Sequence, residues 1–82
     1  IYKVFADEIF NNESKKIAES LAQMPTKGLA YTKHALNHSF HNNWEEQLEM
    51  EDRYQQKSAL TDDYAEGISA FLEKRKPVFK GA

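Results

Sequence analysis

Near the end of the chain, Phe71, Lys74, Arg75, Lys76, Phe79 and Lys80 interleave aromatic rings with cations. Rings and bases in this order can stack on a purine and neutralise a phosphate. A plainer reading uses the same residues. Phe71 then belongs to a core, Lys74 to Lys76 complement the negative end of a helix dipole, and Phe79 anchors a docked tail. Residue types and spacing alone favour the plainer reading.

A second constellation is His34, His38 and His41, spaced i, i+4, i+7, which on one continuous helix lines up three imidazoles for a divalent metal. No carboxylate on the same helix is spaced to complete that site, and Asn42 and Asn43 mark a helix end beside the third ring. No metal ligand is therefore expected; these are solvent-facing or interface histidines. Glu45 with Glu49, and Asp62 with Asp63, invite a comparison with acid–base pairs. A catalytic carboxylate needs an apolar setting that raises its pKa, whereas these sit in polar runs or at helix starts. They read as solvated faces and caps. A glycine-rich phosphate loop, a nucleophile elbow, a zinc-protease motif and a cysteine nucleophile are all absent, so no catalytic residue is expected in this chain.

Four helices must position these side chains. Residues 1–6 read as an extended connector arriving from an upstream domain, and residues 7–82 as a helical domain. The spacing of Phe10, Ile17 and Leu21 predicts a first helix over 8–23, with Asp7 as N-cap and Glu8 at its positive end. Met24, Pro25, Thr26 and Gly28 break it. Leu29, Leu36 and Phe40 predict a second helix over 27–40. Asn43 and Glu46 have capping-box spacing ahead of a third helix over 44–58. That helix offers Trp44 and Leu48, with Met50, Tyr54 or Ala59 as further candidates, for burial; with so thin an apolar face, exposed i,i+4 pairs or a second protein surface are expected to support it. Thr61 caps a fourth helix, with Asp62 and Asp63 in its first turn. Tyr64, Ile68, Phe71 and Leu72 form its apolar face, Lys74 and Arg75 sit at its C-terminus, and Pro77 stops it. The expected fold is all-α, with the four helices in an open arrangement.

Bulk composition narrows the partners. The chain has 82 residues, 40% hydrophobic and 29% charged, with a net charge of −2. No apolar run is long enough to span a bilayer, and the charge argues against general nucleic-acid binding, so neither a membrane nor a nucleic acid is an expected partner. There is no cysteine, which removes disulfides and thiolate zinc sites as supports and goes with a cytoplasmic origin. The chain starts at Ile1, so a piece of a longer gene product is expected.

Three stretches then acquire a relative: residues 25–37 (PTKGLAYTKHALN), residues 47–51 (QLEME) and residues 61–79 (TDDYAEGISAFLEKRKPVF). Together they resemble the C-terminal region of the crotonase superfamily, the enoyl-CoA hydratases and isomerases, and the resemblance covers essentially the whole chain. The Glu-Gly step, the Phe-Leu-Glu-Lys-Arg ending and the Pro-x-Phe-x-Gly tail are most like the branch that isomerises ring-epoxidised phenylacetyl-CoA. The resemblance implies a parent whose N-terminal spiral of ββα units holds a CoA thioester, with two backbone N–H groups at the oxyanion and the catalytic acid or base in that core. It implies that the C-terminal helices form a lid and trimerisation module that covers the active site, in their own subunit or a neighbouring one, and builds trimers that pair into hexamers, with the N-terminal core as a partner. It further implies that Phe71 and Lys74 meet the adenosine phosphate of CoA in a neighbouring subunit, which reverses the reading of the tail from pattern alone. The chain itself would hold no cofactor, CoA thioester being the substrate of the parent. Hydratase and isomerase chemistry both stay open. So does a different class of function, a free-standing helical domain that binds another protein through its sparse third helix.

Overall fold

A computed structural model describes all residues 1–82 and contains four helices and no strand. Residues 1–6 have no regular structure. Helix α1 spans Asp7–Ala22, α2 Thr26–His38, α3 Trp44–Ala59 and α4 Asp62–Glu73. No helix is long and apolar enough to cross a membrane.

The helix ends follow from local chemistry, with three departures from the sequence reading. Asp7 is inside α1 and Ala6 takes the N-cap position, where it has no side chain to offer. The carboxylates of Asp7 and Glu8 in the first turn compensate through the helix dipole. Helix α2 ends at His38, two residues before Phe40, because the amides of His41 and Asn42 both turn back to the His38 carbonyl at 3.0 Å. Helix α3 starts as expected: Asn43 Oδ1 accepts from the Glu46 amide at 2.8 Å and Glu46 Oε1 accepts from the Asn43 amide at 2.9 Å. Thr61 Oγ1 likewise accepts from the Tyr64 amide at 3.1 Å and opens α4. The third departure is at the other end of α4, which stops at Glu73 and leaves Lys74 and Arg75 beyond the helix.

Packing is sparse. Helix α2 lies on α3, and α3 more lightly on α4. The α2–α3 seam is aromatic and polar: Tyr31 and Tyr54 stack with centroids 5.3 Å apart, the Tyr54 hydroxyl meets His34 Nδ1 at 2.9 Å, and Gln47 donates to the Ala35 carbonyl at 3.2 Å. The C-terminal end of α1, at Ser20, Gln23 and Met24, faces residues 76–79 across a hollow of about 560 Å³. The radius of gyration is 16.2 Å, against about 12 Å for a compact chain of this length. Only Asp63 and Ala70 are fully buried among 82 residues. The helical stripes exist but nothing covers them, since Phe40, Trp44 and Leu36 are 90%, 77% and 63% exposed.

Candidate functional site: the clasped end of the fourth helix

The residues after α4 do not trail into solvent; they double back along the helix. Asp63, in the first turn, is 3% exposed. Its two carboxylate oxygens accept the amides of Lys80 and Gly81, each at 2.8 Å, while its own amide donates to the Ala82 carbonyl at 2.8 Å. One turn further on, Glu66 takes Arg75 in a two-pronged pair, Nη1 at 2.6 Å and Nη2 at 2.9 Å, and also accepts the Val78 amide at 2.8 Å. Two carboxylates one helical turn apart therefore anchor a segment that has no secondary structure of its own. The Phe79 ring lies against Gly67, the residue after Glu66.

This arrangement sets the electrostatics. The hydrogen-bonded Arg75 guanidinium, then the Val78 amide, hold the Glu66 carboxyl down at about 2, from an ordinary 4.5. Glu66, and secondarily Glu73, push Arg75 still higher, so both partners of the pair are charged near neutral pH. Arg75 is consequently not a free cation. The expectation that Arg75 adds to an anion-attracting tail is corrected, as is the reading of Asp63 as a solvated helix-start acid.

Lys74 occupies the turn itself. Its backbone is left-handed, φ 56° and ψ 42°, the one non-glycine residue with positive φ. The Arg75 amide reaches back to the Ala70 carbonyl at 3.0 Å and the Lys74 amide to the Phe71 carbonyl at 3.3 Å, the paired bonds of a Schellman ending. Glycine normally fills this place, because a Cβ there costs roughly 1–2 kcal/mol. Phe71, three residues earlier, is 83% exposed. The ring and the ammonium-bearing residue thus stand on the same end of α4, and neither Phe71 nor Lys74 takes part in an aromatic pair or ion pair within the chain. Beside them runs an apolar groove of about 420 Å³, walled by Tyr64, Ile68, Phe71, Leu72 and Phe79, with Pro25 and Gly28 of the α2 start opposite.

The histidines are engaged elsewhere. His38 Nδ1 donates to the His34 carbonyl at 2.9 Å and the two rings lie 4.4 Å apart, while His41 sits on the turn past α2. No three histidine or carboxylate groups come together as a metal cage. Asp63, Glu66 and Gly81 were not singled out from sequence as members of any site. The available signals were Pro77, Phe79 and Gly81 close together, which mark a turning tail but not the carboxylates that receive it.

A family model described as enoyl-CoA hydratase/isomerase matches residues 1–82. The chain is 41% identical over 81 residues to the 1,2-epoxyphenylacetyl-CoA isomerase of Escherichia coli K12, covering 99% of this chain and 31% of that protein. It is 38% identical over 76 residues to a probable enoyl-CoA hydratase of Mycobacterium leprae, covering 93% and 29%. Among solved structures, an enoyl-CoA hydratase of Geobacillus kaustophilus superposes with a TM-score of 0.90 at 28% identity, over 100% of this chain and 31% of that one. The chain thus spans about a third of the length of the relatives it matches.

Proposed function

The chain belongs to the enoyl-CoA hydratase/isomerase family, and from that premise we propose that it is the C-terminal helical module of an acyl-CoA hydratase or isomerase. The observation that carries this reading is the uncovered surface. Eighteen large hydrophobic side chains are exposed in a chain with two buried residues, yet every helix but the first has a sound N-terminal start or packed neighbour. Helices of this kind are shaped to lie against something larger. The partners in this reading are the chain's own N-terminal core, reached through residues 1–6, and further copies in a trimer or hexamer. The location is cytoplasmic.

Within that assembly the module binds but does not react: Glu46 closes a helix cap, Asp63 and Glu66 hold the tail, and in this reading the oxyanion donors and the catalytic acid or base belong to the core. Phe71 and Lys74 contact the adenosine phosphate of a CoA thioester, the ring against the purine and the ammonium toward a phosphate. Their exposure on one helix end supports this. For the acyl group, the reading is ring-epoxidised phenylacetyl-CoA; the higher identity to the isomerase than to the hydratase supports it.

The test uses the intact gene product. A partly exposed contact to a charged group contributes about 1–3 kcal/mol, so Lys74→Ala should raise KM for the CoA thioester about tenfold. The contact is remote from the bond changes and equal in ground and transition states, so kcat stays unchanged. A pantetheine thioester lacks the phosphate and should be indifferent to the substitution. Equal losses on both substrates would remove Lys74 from the phosphate.

A further inference from the structure

Lys74 adopts a backbone conformation that glycine would adopt more readily, and such residues persist only where their surroundings over-determine them. The surroundings here are specific. Glu66 grips Arg75 with both oxygens and the Val78 amide with one of them, on the far side of the turn. Arg75 Nε also donates to Glu73 at 3.0 Å, so the residues on either side of Lys74 are joined by their side chains across it. Of the three consecutive bases, Arg75 alone is ion-paired; Lys74 and Lys76 are not.

We propose that Glu66 is a positioning residue for the CoA contact: by holding Arg75 and the Val78 amide it locks the left-handed turn that aims Lys74, and it withdraws Arg75 from the anion. This rests on the assignment of Lys74 to a CoA phosphate. Glu66 touches no ligand itself and acts through Lys74. Without the grip, the turn relaxes toward ordinary helical geometry, the Lys74 stem leaves on a different vector, and a guanidinium competes for the same phosphate in an untuned position.

The two roles separate in the intact enzyme through a double-mutant cycle on CoA and pantetheine thioesters. Glu66→Gln keeps the shape and removes the charge; its KM for the CoA thioester should rise about three- to tenfold with kcat unchanged, and little further rise should follow in a Lys74→Ala background. Arg75→Gln breaks the same grip from the other side and should behave alike, which guards against an accident of folding in either variant. Overturning results are distinct. If Arg75→Gln adds fully to Lys74→Ala, Arg75 itself binds the anion. If Glu66→Gln impairs both thioesters equally, it is only a stabilising pair. If Lys74→Ala raises KM while Glu66→Gln does not, the positioning role is wrong and the CoA contact stands; if Lys74→Ala is silent, the CoA contact has failed and takes the positioning role with it.

Discussion

Gly81 rests so closely against Thr26, at the start of α2, that a Cβ on the glycine would stand 2.7 Å from the threonine Oγ1. Its φ of +75° already disfavours any side chain. Gly81→Ala should therefore destabilise the protein by about 1–3 kcal/mol, read from the urea midpoint. Adding Thr26→Ala removes the oxygen but not the backbone strain, so it should recover only part of the loss. Full recovery would mean that the φ angle is unimportant here.

Asp63 is the anchor on the opposite side of the same segment. Asparagine can present one oxygen where the carboxylate presents two, and its NH₂ would face an amide donor. Hydrogen bonds to a charged group contribute about 1.5–3 kcal/mol, so Asp63→Asn should cost about that much. Hydrogen exchange should speed up at Lys80 or Gly81 and stay unchanged in α2. Unaltered exchange at both amides would rule out the clasp.

At Lys74 stability and binding should move in opposite directions. Lys74→Gly relieves the left-handed strain and should raise stability by about 1 kcal/mol. It also removes the ammonium, so affinity for the CoA thioester should fall. A variant that is less stable than the parent would show that the lysine stem contributes packing that outweighs the strain.

Acid should act through Glu66. Its carboxyl is held at about 2 in the folded chain against an ordinary 4.5, so the folded state binds fewer protons than the unfolded one across that interval. The pair's contribution is complete above pH 4.5 and disappears as pH falls toward 2. Arg75 keeps its charge throughout and adds no window of its own. Acid unfolding of Glu66→Gln should accordingly be flatter than that of the parent in this range, and an identical slope would remove Glu66 as the group responsible.

What could be read from sequence, and what could not, divides by distance along the chain. The Asn43–Glu46 box and the Thr61 cap each involve residues three apart, and both are where spacing puts them. The helical stripes were legible too, but periodicity says that Leu36 and Phe40 share a face, not what the face lies on; here they remain exposed. Lys74 concealed the end of α4, since a lysine at the left-handed position withholds the glycine signal that would have stopped the helix before Pro77. The clasp joins Asp63 to residues 17 and 18 positions away, and no local propensity encodes a partner at that range. Phe71 and Lys74 entered through family resemblance, because pattern alone could not separate a ligand contact from an ordinary helix ending.

Trp44 opens α3 as a residue 77% exposed, and it is the chain's single tryptophan. An indole in water emits at longer wavelength than one pressed into an apolar surface, so the colour of its fluorescence registers whether that edge of the helix is wet or dry. Docking of the helices onto a larger body can thus be watched without any label.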